Sequence, residues 1–105
     1  MVSCKIFLSS LKLAPDAASK LFQDLIIKEL DTEEDPNVEI INTLQITPGE
    51  CHIEIICSKK PSLTHQKLQT LSIQLDERAR SYFQIEDPIQ VRVLIFAEDF
   101  ITGIN

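Results

Sequence analysis

A small α+β sandwich, one four-stranded sheet with two helices on one face, is the fold class this sequence predicts. Three observations carry it. The chain is 105 residues long, which is about one domain's worth and enough to bury roughly 60 to 70% of the surface of its unfolded form. Its apolar residues alternate between a period of two and a period near 3.6. The changes of period fall in the order strand, helix, strand, strand, helix, strand. With 44% apolar and 25% charged residues, the composition is that of an ordinary folded domain, so residues 1–105 read as a single unit with 97–105 as a C-terminal tail.

The first strand shows in Val2, Cys4, Ile6 and Leu8, which alternate with Ser3, Lys5 and Phe7. Ala18, Leu21, Phe22, Leu25 and Ile26 then form a helical stripe, opened by Pro15 at the first helical position, where a missing N–H costs nothing. The run DTEEDPN stops that helix. Alternation returns with Val38, Ile40, Leu44 and Ile46, and Asn42 is the one polar residue in the series. Thr47 to Glu50 spell TPGE, a type II turn signal because Pro fixes φ and Gly allows the positive φ that follows. Residues 38–46 and 51–57 are therefore expected to form a hairpin.

After KKPS breaks the third strand, Ser62 is the expected cap of a helix carrying Leu68, Leu71, Leu75, Ala79 and Tyr82. Ile89, Val91, Val93 and Ile95 give the last strand. The simplest packing of these six elements is a ferredoxin-like βαββαβ sandwich, with an antiparallel sheet in the order 4-1-3-2.

The charge narrows the partners. Sixteen acidic against 10 basic residues leave a net charge of −6, which opposes the phosphate attraction behind non-specific nucleic-acid binding. Lys5 and Lys12 interrupt the N-terminal apolar residues, so neither a membrane segment nor a secretory leader is expected. The expected location is cytoplasmic, where three cysteines, an odd number, stay reduced.

The stretch CHIEIIC, Cys51 to Cys57, looks chemical until geometry is applied. On a strand, Cys51, Ile53, Ile55 and Cys57 share the helix-covered face, while His52, Glu54 and Ile56 share the other. Cys51 and Cys57 then stand about 20 Å apart and cannot share a zinc ion. Cys4 is expected near Cys57 on the same face, two thiols that are two ligands short of a metal site. Adjacent Cys51 and His52 point to opposite faces and make no nucleophile and base. An outward His52–Glu54 pair is expected, with no catalytic role assigned to it.

Other motifs fail in similar ways. Asp31, Glu33 and Asp35 resemble the start of a calcium loop, but Pro36 and Asn42 stand where Gly and Glu are required. With only Gly49 and Gly103 there is no glycine-rich phosphate loop. The aromatic sheet face of an RNA binder is reduced to Phe7. Residue 2 is Val, so the proline that follows Met1 in tautomerase-like chains is absent. No cofactor, metal or catalytic residue is assigned, and an enzyme is the less favoured reading.

Two surfaces remain. The outward positions Phe7, Ile41, Ile56, Leu94 and Phe96 are too apolar for a face left in water. In the expected sheet order Phe7, Ile56, Leu94 and Phe96 make one patch, with His52, Glu54 and Arg92 as polar partners. This predicts a non-enzymatic interaction or regulatory module that self-associates as a homodimer, unless the tail residues Phe100, Ile101 and Ile104 cover the patch or it stays open to a ligand or another protein partner. The alternative is a small-anion or small-ligand site, or an enzyme, at Lys59, Lys60, Ser62 and His65, the one basic cluster, set at a helix N-terminus.

Overall fold

The computed structural model describes residues 2–9, 15–30, 35–43, 51–85 and 91–98. Its elements are β1 (Val2–Leu8), α1 (Pro15–Leu30), β2 (Asn37–Asn42), β3 (Cys51–Ser58), α2 (His65–Phe83) and β4 (Val91–Glu98). The expected element order is thus observed. TPGE, Asp31, Glu33, Leu44, Ile46, Ile89 and the tail beyond Glu98 lie outside the described residues.

The sheet differs from the expectation in both order and direction. Its four strands run β2-β1-β3-β4. β1 pairs parallel with β2 and antiparallel with β3, and β3 pairs parallel with β4. The order 4-1-3-2, the fully antiparallel sheet and the β2–β3 hairpin are therefore corrected. In place of a split unit there are two adjacent βαβ units, β1-α1-β2 and β3-α2-β4, joined by their first strands. The physical reason lies in the crossover: a helix can return the chain beside the strand it left or one position further on, and period-two alternation reads the same in both cases.

The inward set is nevertheless the one the alternation gives. Ile6 faces Ile53 and Cys4 faces Ile55 across the central pair, and all four are fully buried. The helices lie over this face. α1 contributes Ala18, Phe22, Leu25, Ile26 and Leu30, and α2 contributes Leu71, Leu75, Ala79 and Phe83. Phe22 and Phe83 stack at 5.8 Å between ring centroids, with Tyr82 set edge-on to Phe83 at 5.2 Å, and so tie the two helices together. The Gln23 side-chain amide donates to the Pro36 carbonyl at 2.9 Å and pins the approach to β2 onto α1.

Local chemistry sets the helix ends. Ser62 does not cap α2. Residues 61 and 62 form a turn, the Ser62 carbonyl accepts from the Thr64 N–H at 3.2 Å, and the cap lies two residues later than expected. Thr64 is the cap, and its Oγ1 accepts from the Lys67 N–H at 3.2 Å. At the other end Gln84 adopts the left-handed conformation, φ 56°, which returns the Ile85 N–H to the Arg80 carbonyl at 2.9 Å and lets Ile85 enter the core.

Ile53→Ala is expected to cost about 2 to 5 kcal/mol in urea unfolding. The same truncation at Ile73, which is 53% exposed on α2, should stay within about 0.5 kcal/mol. Gln84→Gly should add up to about 1 kcal/mol by removing the left-handed strain. Equal costs at Ile53 and Ile73 would contradict the assigned core.

Candidate functional site: the open face of the sheet

Both helices lie on one side of the sheet, and the outward positions of the described strands make up its other face. Register arranges them in rows across β2, β1, β3 and β4. The first row is Ile41, Phe7, His52 and Arg92. The second is Glu39, Lys5, Glu54 and Leu94. The third is Asn37, Ser3, Ile56 and Phe96. Lys5 and Glu54 oppose each other at the middle of the β1–β3 ladder, so an approximate two-fold axis relating the two βαβ units passes between them.

This arrangement changes the expected patch. β4 lies beside β3, so Phe7 on β1 is separated from Leu94 and Phe96 by a whole strand. Ile56, Leu94 and Phe96 come together in one corner, with Ile56 39% and Phe96 45% exposed. Phe7 and Ile41 form a second, half-buried apolar pair in the opposite corner. Between the two corners runs a polar band.

The centre of that band is the His52–Glu54 pair, Nε2 to Oε1 3.0 Å. Side chains two residues apart on a strand share a face, which is why this pair is outward. The Phe7 ring leans on the imidazole, with centroids 5.8 Å apart. Glu54 thus takes His52 as its partner, and Arg92, exposed, stands directly across from His52 on β4. Lys5 and Glu39 belong to the same band. The period of two places both on the outward face.

The second candidate set lies on one exposed segment. Lys59, Lys60, Ser62 and His65 are all exposed on the segment that leads from β3 into the first turn of α2. The Lys60 carbonyl accepts from the Leu63 N–H at 2.9 Å, so the segment is folded back on itself. It lies at the end of the sheet where β3 finishes and β1 starts.

The cysteines are free and buried. Cys51 faces Leu8 at one end of the ladder, whereas Cys57 faces Val2 at the other, two residues along from Cys4 on the same face. Burial pushes the Cys4 thiol up to about 12. Burial, helped by the Asp76 carboxylate and opposed by Arg80, does the same to Cys51. Cys57 is raised by burial as well, with the Lys60 ammonium pulling the other way. Such thiols are core side chains and poor nucleophiles. Among the described residues no three metal-ligating side chains gather, and no helix is long and apolar enough to cross a membrane.

The fold has known counterparts. It is that of MIF and 4-OT. Macrophage migration inhibitory factor of Toxoplasma gondii superposes with a TM-score of 0.73 at 14% identity, covering 96% of each chain. A fused 4-OT described as a symmetric trimer gives 0.69 at 9% identity, over 90% of this chain and 85% of its own. N1, a member of the cis-3-chloroacrylic acid dehalogenase family, gives 0.67 at 15% identity, over 91% of this chain and 73% of its own. At these identities the likeness is one of fold. No protein-family model and no curated protein matches the sequence.

The raised thiols carry a pH dependence. An acid whose folded pKa lies above its unfolded value destabilises the folded state as pH climbs from the group's ordinary value toward the folded one, because the unfolded chain ionises first. Stability should therefore fall between pH 9 and about 12. In Cys4→Ala the decline should be shallower, as read by urea titrations across that window. An unchanged slope would contradict the burial of this thiol.

Proposed function

We propose that this chain is a non-enzymatic interaction module that assembles with copies of itself through the open face of its sheet. One observation carries the proposal: Ile56 and Phe96, 39% and 45% exposed, sit side by side on that face with Leu94, in register on neighbouring strands. Covering large apolar side chains contributes on the order of 1.5 to 3 kcal/mol each when burial is complete. The single chain already buries about half of each, so the gain per residue is nearer the lower value. A face with two apolar corners meets a second copy at several points, which makes assembly a repeated contact rather than a single one.

The polar band sets the registration of that contact. Lys5 and Arg92 oppose Glu39 and Glu54 in charge, so the three rows carry balanced charge at neutral pH, and a balanced surface is the kind that a second copy covers at modest desolvation cost. The fused 4-OT of this fold is a symmetric trimer, which makes three copies the number to weigh against a dimer. Free, buried cysteines accord with a reducing, cytoplasmic setting.

A second reading is a small-carboxylate or phosphate site at Lys59, Lys60, Ser62 and His65. What favours it is the structural similarity to N1, whose family is named for an action on a small chloro-acid, together with two exposed lysines at the start of α2.

Light scattering at micromolar concentration should give the mass of an oligomer for the native chain. Leu94→Glu and Phe96→Glu should each give a monomer with an unchanged circular dichroism spectrum. A native monomer, or a variant that stays assembled, would refute assembly through this face. For the second reading, millimolar acrylate or inorganic phosphate should raise the melting temperature, and Lys59→Ala with Lys60→Ala should abolish the shift. No shift in the native chain would eliminate it.

A further inference from the structure

β4 has the sequence of an interior strand and the position of an edge. From Val91 to Ala97 it reads VRVLIFA, in which Arg92 is the one polar residue, and a strand apolar on both faces is ordinarily one buried on both. Among the described residues, however, β4 has a neighbour on one side only, β3. Val91, Val93, Ile95 and Ala97 are in register with the buried Cys51, Ile53, Ile55 and Cys57 and so point toward the helices, yet each is only partly buried. Leu94 and Phe96 point the other way, and Phe96 is 45% exposed. Both faces of the strand are short of cover along the same line, its outer edge.

From this mismatch we infer that β4 is the strand at which two copies meet: the β4 edges of two chains pair antiparallel about a two-fold axis and continue the sheet from four strands to eight. The inference deepens the proposed assembly, on which it rests, by naming the strand that joins the copies. A free row of N–H and C=O groups is a template for another strand, and proteins blunt it with short edges, proline and charge. The opposite edge is blunted in this way. β2 is six residues long, follows Pro36, begins and ends in Asn, and carries the exposed Glu39. Between Val91 and Ala97 the β4 edge has only Arg92.

A second copy fits this edge because it offers the same two-sided apolar strand. With Ile95 opposite its own counterpart, Val93 faces Ala97 of the second copy on the helix side and Leu94 faces Phe96 of the second copy on the open side. Every side chain from 93 to 97 then meets an apolar one. Charge agrees with this register. The two Arg92 residues fall at opposite ends of the paired segment, six residue steps or about 20 Å apart and beyond the screening length at physiological salt. In a chain of net charge −6, residues 91–97 contain no acidic side chain, so two copies approach each other there against little repulsion. On the open face the corner formed by Ile56, Leu94 and Phe96 runs on into the same corner of the second copy.

Residue-resolved amide hydrogen exchange of the native chain, below and above the concentration at which light scattering shows assembly, reads the edge directly. The β4 amides that point away from β3 should exchange about tenfold or more slowly in the assembled chain, and those on the outer edge of β2 should not change. Residues opposed in an antiparallel pair have Cα atoms about 5 Å apart, within disulfide reach. Mixing Leu94→Cys with Phe96→Cys chains that show native circular dichroism should therefore give, under mild oxidation, a mixed disulfide in several-fold excess over the disulfide of either variant alone; the native cysteines are buried. Outer β4 amides that exchange equally at both concentrations, or that are already protected in the monomer, would overturn the inference and leave the assembly standing, as would a mixture without that excess. A native chain that is monomeric at every concentration would overturn the assembly itself.

Discussion

The antiparallel ladder between β1 and β3 is the interaction on which the rest of this structure depends. It joins two βαβ units, neither of which closes a core alone. Each unit offers two parallel strands and one helix, and a helix laid on two strands leaves much of its stripe uncovered. Only when Ile6 meets Ile53 and Cys4 meets Ile55 does the sheet become wide enough for α1 and α2 to lie side by side and for Phe22 to stack on Phe83. Register matters as much as pairing, because a slip of one residue would send the whole inward set of either strand to the other face.

The same ladder decides what the open face looks like. By holding β3 between β1 and β4, it divides the outward apolar residues into two corners and runs charged and polar side chains between them. The face thereby carries both an apolar component and a directional, charged one. The fold shared with MIF and 4-OT is built from βαβ units of this kind. The thiols belong to packing. Cys4 and Cys51 sit too deep, with pKa values of about 12, to present thiolates at neutral pH.

Much of this was legible in the residues. Alternation in Val2–Leu8 and Cys51–Ser58 identified the inward and outward sets, and the spacing of Leu71, Leu75 and Ala79 identified the buried stripe of α2. Outward His52 beside Glu54 followed from the same period. What alternation does not encode is which strand lies next to which. The pattern of Val38 and Ile40 fits an edge beside β1 as well as one beside β3, and the TPGE turn signal was a local cue that pointed to a hairpin the sheet does not contain. From that followed the misplacing of Phe7 next to Leu94. The cap was misassigned for a related reason: Ser62 and Thr64 are both good capping residues, and a turn at Pro61 decided between them. Likeness to MIF was out of reach at 14% identity, since fold similarity at that level resides in topology rather than in shared motifs.

Residue-resolved amide hydrogen exchange tests most directly the claim that the two units stand or fall together on the β1–β3 ladder. If they do, the amides that cross-link β1 and β3 exchange only by global unfolding, share one highest protection free energy that matches the stability from urea titration, and exceed those at the outer edges of β2 and β4. If β1 and α1 instead open at a distinctly lower free energy than β3 and α2, one unit holds its structure without the other, and the ladder is not the constraint that organises the fold.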